Sequence, residues 1–343
     1  MNCELSKDAS KSGIPGNPAI SVAMASCNGA AFLEEQLESI YAQTLKPDEL
    51  VVTDDCSTDG TCEILQRYSV SHGLKFHVNP ARLGPLGNFA KAISLCSGDF
   101  IALSDQDDKW LPNKLEILCA ELARLERLYG KETPLLAYSD LFVVDRDLKP
   151  LANSLWSQGG GNPRRNSLNR LLSRNVVCGC SSMMNASLRD LALPFPENAQ
   201  MHDAWLGLVA AAFGRLSYLP QRLLLYRQHG DNAVGARSIQ GRTPSPQRAF
   251  AKLSRYLKGK PDVVNPFLRS AIPSAQCLLS NFGEKLSSPQ RRCLEDFISL
   301  KSERGLGAAR KILKNSFFMS TWKENAELLL YFLFDKGDPP SEE

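Results

Sequence analysis

The chain has no apolar stretch long enough to cross a bilayer. Its longest late run, Leu328–Phe334, is seven residues, against about 20 for a spanning helix. The opening MNCELSKDASKSG holds no apolar core of a signal peptide, so a secretory leader is not expected. Charge of one sign is scarce as well. Lys and Arg number 40 against 37 Asp and Glu, and the resulting +3 is too near balance for a dedicated nucleic-acid binder. Ten cysteines are present, but none stands in a C-x-x-C pair; the close pairs are Cys56/Cys62 and Cys178/Cys180. That excludes the paired spacing of a zinc site and reads as reduced, cytosolic thiols. No internal repeat is evident.

What is present is ordinary globular material. Apolar residues make up 43% and charged residues 22% of 343, which excludes a disordered or collagen-like chain. The length suits one large α/β domain with an appendage, or two medium domains. The near-neutral total hides an asymmetry. From Arg237 onward there are 18 Lys and Arg against 11 Asp and Glu, a net +7, so the first 236 residues sum to −4. Residues 237–260 hold seven basic side chains and no acidic one.

Residues 1–18, with Gly13, Pro15, Gly16 and Pro18, read as a loose tail. Then strands and helices alternate. Strands are expected at Ala19–Ala25, Leu50–Thr53, Lys75–Val78 and Phe100–Leu103. Helices are expected at Ala31–Thr44, around Ile64, Leu65 and Tyr68, and at Gly84–Cys96. Such alternation predicts a parallel sheet of right-handed crossovers, with ligands beyond the carboxyl ends of the strands. Polar clusters fall at those ends: Ser26–Gly29, Asp54–Gly60 and Asp105–Asp108. Further on, residues 109–130 and Asp203–Phe213 read as helices. Leu135–Tyr138, Leu141–Val144, Val176–Met184, Leu216–Leu219 and Leu223–Tyr226 read as short strands, and residues 157–166 as a glycine-rich basic loop. After Gly235 the alternation stops. Residues 246–335 read as helices, the first with Phe250, Leu253 and Leu257 on one face.

Several clusters carry chemistry. Asp105-Gln106-Asp107-Asp108 places three carboxylates in four residues, and these repel one another unless a cation joins them. Hard divalent ions such as Mg2+ or Mn2+ take oxygen ligands and often hold phosphates too. The plainer reading is an acidic turn whose Asp107 or Asp108 caps the next helix. Asp54 and Asp55 suit contact with a pyrimidine or ribose, whereas Ser57, Thr58 and Asp59 suit capping. Asp203, after Met201 and His202, reads equally as a general base or as a helix cap; His202 reads as structural. In Tyr226-Arg227-Gln228-His229-Gly230-Asp231-Asn232, His229 is a metal ligand or a surface histidine, and Arg227 is a candidate phosphate contact.

Taken together, Ile20–Gln43, Leu50–Thr61 (LVVTDDCSTDGT), Asn79–Ala92, Gly98–Lys114 (GDFIALSDQDDKWLPNK), His202–Trp205 and Tyr226–Gly235 (YRQHGDNAVG) resemble a family-2 glycosyltransferase. Within that family, DQDDKW and YRQHGDN are most similar to bacterial rhamnosyltransferase-like enzymes of cell-surface polysaccharide assembly. The resemblance implies an α/β GT-A domain, Rossmann-like and nucleotide-sugar-binding, with a mainly parallel central sheet over 19–236. A helical, basic C-terminal region would follow over 237–343. It also implies a dTDP- or UDP-linked donor, with rhamnose the candidate sugar, meeting Ala25, Asp54, Asp55, Asn88 and Asp105. Asp107 would hold a Mg2+ or Mn2+ ion, with His229 a further ligand. Asp203 matches the family's catalytic base, which deprotonates an acceptor hydroxyl for a single inverting displacement. The family often has Tyr before the Asn of the first loop, where this chain has Cys27.

The acceptor expected by the same likeness is a cell-surface glycan or a lipid-linked glycan, on the cytoplasmic side of the membrane. The basic stretch 237–260 is then a candidate peripheral membrane contact, the alternative being a solvated helix face. The loop at 157–166, with Arg164 and Arg165, reads as a lid or as a plain surface turn. Three other functions stand beside the transferase. A phosphatase with a D-x-D nucleophile would want Thr or Val soon after the second Asp, where this chain has Asp108-Lys109-Trp110. A sugar-phosphate nucleotidyltransferase would want a glycine-rich basic loop after the first strand, where this chain has SCNGAAF. A silent nucleotide-sugar-binding scaffold would not need Asp105, Asp107 and Asp203 together.

Overall fold

A computed structural model describes residues 18–158, 161–229 and 264–334. The expected helix face of Phe250, Leu253 and Leu257, the basic stretch 237–260 and nearly all of the N-terminal tail lie outside the described residues. The chain runs β1 (Ile20–Ser26), α1 (Leu33–Tyr41), β2 (Glu49–Asp54), α2 (Thr61–His72), β3 (Lys75–Val78), α3 (Gly84–Ser94) and β4 (Phe100–Ser104). A two-residue β5 (Lys109–Trp110), α4 (Lys114–Tyr129), β6 (Leu135–Val144), β7 (Pro150–Ala152), α5 (Leu168–Ser173) and β8 (Ser182–Asn185) come next. They are followed by α6 (Ala186–Ala192), α7 (His202–Phe213) and β9 (Arg215–Arg227). Four helices close the described chain: α8 (Val264–Phe282), α9 (Ser288–Ser299), α10 (Gly305–Asn315) and α11 (Trp322–Phe334).

The strands form one sheet in the order β3-β2-β1-β4-β8-β6-β9-β5, with β7 on β6. The half read most clearly from sequence, β3-β2-β1-β4, is all parallel, with Ser26 opposite Asp54 and Met24 opposite Ser104. Those register pairs put the carboxyl ends of β1, β2 and β4 on one rim. The other half is mixed: β8 is antiparallel to both β4 and β6, and β6 is parallel to β9.

Side-chain alternation along each strand builds two cores. On one face Val22, Met24, Val52 and Phe100 meet Leu33 and Leu37 of α1 and Leu115, Leu118 and Leu122 of α4. On the other, Ala23, Val51, Ile101 and Leu103 meet Phe89 of α3 and Trp205 and Val209 of α7. That second core continues without a break into Leu278, Phe297, Ile312 and Phe332 of the C-terminal helices.

The two short strands expected at Leu135–Tyr138 and Leu141–Val144 are one strand, as are those at Leu216–Leu219 and Leu223–Tyr226. The pairing slips between Ser139 and Asp140, where the partner steps from Leu219 to Arg222. A bulge there absorbs Pro220 and Gln221, so the polar interruption bends the ladder without ending it.

Trp205 anchors the second core. It is fully buried and its indole N–H donates to the Ala192 carbonyl at 3.0 Å. Trp205→Ala is expected to lower unfolding free energy by about 3–5 kcal/mol, read as a shift of the urea midpoint with unchanged slope.

Candidate active site

The rim of β1, β2 and β4 opens into a cleft of about 750 Å3, within the size range of small-molecule sites. Its walls come from the loops after those strands, from the start of α7, and from Ala271 of α8 and Met319 just before α11. Of the expected residues, Ala25, Asp55, Asn88, Asp105, Asp107 and Asp203 line it.

Asp54 is not among the lining residues. It ends β2, is fully buried, and accepts from the Ser26 hydroxyl at 2.9 Å and from the Ser57 hydroxyl and backbone N–H at 2.6 and 2.9 Å. Asp55, one residue on, faces the other way. Its carboxylate accepts from the backbone N–H groups of Leu83 and Gly84, at 2.7 and 2.8 Å, and from Asn79 Nδ2 at 3.0 Å. It thereby ties the second loop to the start of α3. Asn88 donates to the Ser26 and Thr53 carbonyls. Asp59 stands one residue before the cap residue Gly60, yet its carboxylate accepts the first N–H of α2, from Thr61 at 3.0 Å, and Ala30 N–H at 3.1 Å, locking loop one to loop two.

The first and fourth loops are joined by Gln106. Its amide accepts from Cys27 N–H at 2.8 Å and donates to the Cys27 carbonyl at 3.0 Å. This bridge explains Gly29: a Cβ there would lie 2.2 Å from Gln106 Oε1.

The acidic turn divides its carboxylates between two sides. Asp105 and Asp107 face the cleft; Asp108 is fully buried and accepts from Arg227 N–H at 3.1 Å. Neither Asp107 nor Asp108 caps α4, which starts at Lys114 behind Asn113. Behind the turn lies Lys114, fully buried, donating to the Cys180 carbonyl at 2.5 Å with its ammonium 3.4 Å from the centre of the Trp110 ring. Arg227, expected to reach phosphates, is instead buried as a brace. Its guanidinium donates to the Asp107 carbonyl at 2.8 Å, to the Arg146 carbonyl and to Glu35, and lies over the Phe32 ring.

Burial pushes Asp105 up to about 7, aided by negative charge on Asp107 and Asp203. Asp108 is raised for the same first reason, with Asp107 and Asp105 adding to it, and burial lowers Lys114 to about 7. Asp203 sits in the first turn of α7, its Oδ1 accepting Ala204 N–H at 2.6 Å, and burial raises it to about 6. It is a first-turn carboxylate, not the cap residue.

Two groups can be asked to hold a cation. Asp105, Asp108 and Cys180 place ligand atoms within 4.8 Å of one another. However, the Lys114 ammonium already occupies that side, and the hydrogen-bonded contact with Cys178 and then burial favour the neutral Cys180 thiol. On the cleft side, Asp107 Oδ2 lies 2.8 Å from His229 Nε2, with Asp105 two residues away. Carboxylate oxygens facing a cleft, mutually repelling and with one imidazole, fit a hard divalent ion.

Sequence reasoning took His202 as structural, yet it lines the cleft with both ring nitrogens buried and unpartnered among the described residues. It stacks on Phe89 at 3.7 Å and burial lowers it to about 3, so the ring is neutral. Gly179 leaves room for it, since a Cβ there would come 2.4 Å from His202 Nε2. The signal was its place beside Asp203. Gln106 and Lys114 were also overlooked; both sit inside the quoted motif, but their partners are distant in sequence.

Lys114→Met is expected to remove about 3 kcal/mol or more of stability, as breaking a buried charge cluster from one side does. Urea unfolding of the purified variant checks this; a change under 1 kcal/mol would show that the ammonium does not support the turn.

Residues 21–190 match Glycosyl transferase family 2. The chain is 36% identical over 113 residues to the UDP-Glc:alpha-D-GlcNAc-diphosphoundecaprenol beta-1,3-glucosyltransferase WfgD of Escherichia coli, a stretch covering 32% of this chain and 44% of WfgD. It is 35% identical over 99 residues to the dTDP-rhamnosyl transferase RfbG of Shigella flexneri, covering 27% and 34%. The aligned stretches thus span under half of either relative. Among solved structures, S. aureus TarS 1-349 superposes with a TM-score of 0.52 at 16% identity, covering 91% of this chain and 78% of that one, a likeness of fold. The strand-end rim, the acidic turn and these matches agree: the chain belongs to glycosyl transferase family 2, a GT-A-fold glycosyltransferase built around residues 21–190.

Proposed function

We propose that this cleft transfers a sugar from a nucleotide-diphosphate donor to a hydroxyl of a glycan or lipid-linked acceptor, with inversion and with a divalent ion. The observation that carries the proposal is that Asp105, Asp107 and Asp203, from two distant parts of the chain, face one cleft. The base end of the donor would lie over loops one and two. There Asp55 has three of its acceptor sites taken by Asn79, Leu83 and Gly84, which leaves capacity on Oδ2 for one more donor, such as a pyrimidine N3–H. Ala25 and Asn88 line the same cleft and would border that end, and Asp105 would approach the ribose or sugar.

Asp107, with His229 beside it, would hold the Mg2+ or Mn2+, which supplies neutralisation of charge growing on the leaving diphosphate. Asp203 takes the proton from the acceptor hydroxyl. The freed oxygen forms its bond to the anomeric carbon as the bond from that carbon to the diphosphate oxygen breaks, and the leaving group departs with the electron pair. Attack from the side opposite the nucleotide inverts the centre. The nucleotidyltransferase alternative needs a basic phosphate loop after β1; the first loop is occupied by the Gln106 bridge and offers none.

A dTDP-linked deoxyhexose, rhamnose by resemblance of the DQDDKW motif, and UDP-glucose are the donors to test first, since relatives of 35% and 36% identity are named for each. Turnover is measured as nucleotide diphosphate release with each donor and Mn2+ or Mg2+. Asp203→Asn is expected to reduce turnover by about 10^2–10^4-fold while donor binding is kept; unchanged turnover would remove Asp203 from the chemistry. Asp107→Ala is expected to abolish the difference in donor affinity with and without EDTA, measured by calorimetry. A base must be ionised to act, and Asp203 is raised to about 6. The kcat/KM value is therefore expected to rise with pH through about 6 and level off above it.

A further inference from the structure

We infer that the exposed face of α10 and the start of α11 docks the protein on an anionic lipid surface, with the mouth of the cleft beside that surface. α10 buries Ala308, Ala309 and Ile312 and presents the opposite side. There Leu306 is 82% and Leu313 54% exposed, one above the other at i and i+7. Arg310 and Lys314, both exposed, flank them at i+4 and i+8. Lys314 is 3.7 Å from Asp296, and 66% of its side chain is still open to solvent. At the start of α11 Trp322 is 75% exposed with Lys323 beside it, the ammonium 5.8 Å from the indole centre. Between Lys301 and Lys323 there are six basic residues and one acidic, and that acid, Glu303, is paired with Lys311.

Isolated large apolar side chains set among cations on one helix face, with an indole next to a lysine, suit the boundary of a charged membrane. Charge decides between occupants. A second copy meeting this face across a two-fold axis would set the same basic cluster against itself, whereas acidic headgroups complement it. No described helix is long and apolar enough to cross a membrane. Its position bears on the cleft. Met319, three residues before Trp322, lines the cleft, and Glu324 lies 3.5 Å from Arg174 on the cleft wall. A lipid-linked acceptor would then reach the site without leaving the bilayer; that consequence rests on the proposed function, while the docking itself does not.

The full chain is sedimented with phosphatidylglycerol vesicles and with pure phosphatidylcholine vesicles, beside the double variants Leu306→Ser/Leu313→Ser and Arg310→Glu/Lys314→Glu. These side chains are exposed, so folding should be kept, and matching circular dichroism melts confirm it. The expected result is preferential binding of the native chain to the anionic vesicles, weakened about tenfold or more in each double variant. Native-like vesicle binding by the variants, or no preference for anionic lipid in the native chain, overturns the inference. So does a change of oligomeric state in Leu306→Ser/Leu313→Ser by light scattering, which would make the face a contact between copies. Nucleotide release with a water-soluble acceptor is measured in parallel and should be equal in all three proteins. Absence of that release in the native chain, with vesicle binding intact, would strike the transferase reading and leave the docking in place.

Discussion

Three acidic side chains within four residues would repel one another if all were ionised, and the turn is held in place from behind by two buried basic side chains. Lys114, from the first turn of α4, fills the space under Asp105 and Asp108, and Arg227, from the end of β9, ties the backbone of the turn to Glu35 and Arg146. Neither reaches into the cleft. Their positive charge lowers the cost of holding the acidic turn in a poorly solvated place, and their hydrogen bonds fix its path. Asp105 and Asp107 are thereby left facing the cleft, Asp107 beside His229 at 2.8 Å and Asp105 within reach of the charge on Asp107 and Asp203. A turn stabilised only by a bound ion would be loose before the ion arrived; this one is shaped in advance, which is what preorganised electrostatics requires.

The strand-end rim was legible in the sequence because buried parallel strands announce themselves as short apolar runs, and their ends by clusters of Asp, Ser and Gly. β3 lies where it was expected, and α3 and β4 differ only in their last residues. The choice between Asp54 and Asp55 was not legible. Neighbours at a strand end point to opposite sides, and which side is cleft depends on register with β1 and β3. The reading of Arg227 as a phosphate ligand failed for a related reason. An arginine after an apolar strand looks available, but its partners, Glu35 and Asp107, come from elements 192 and 120 residues away. The mixed half of the sheet was misread where polar residues interrupt β6 and β9, because a bulge and a strand end have the same composition.

Lateral bonds among the loops make the rim a single object. Gln106 reaches from loop four to loop one, Asp59 from loop two to loop one, and Asp55 from loop two to the head of α3. Asn28, in the left-handed region, accepts from Thr58 N–H at 2.8 Å. The first loop, where the family resemblance leads a tyrosine to be expected, is held here by polar bonds around Cys27, and Arg82 also donates to its sulfur. The loop's shape therefore does not depend on an aromatic ring, although a ring's stacking surface would still be lost to a nucleotide base.

The other end of the cleft comes from sequence beyond the family match. Ala271 of α8 and Met319 just before α11 stand on its wall, and the C-terminal helices share one apolar core with α3, α5 and α7. A core shared in this way resists rigid-body separation, so the C-terminal helices are fixed walls of the site. If the proposed function holds, donor recognition and acceptor access are divided along the chain. The loops of β1, β2 and β4 would meet the phosphates, while α5, α8 and the approach to α11 would set what approaches Asp203. Proteins that share only the first part could then agree on the chemistry of the diphosphate and differ in the alcohol that receives the sugar.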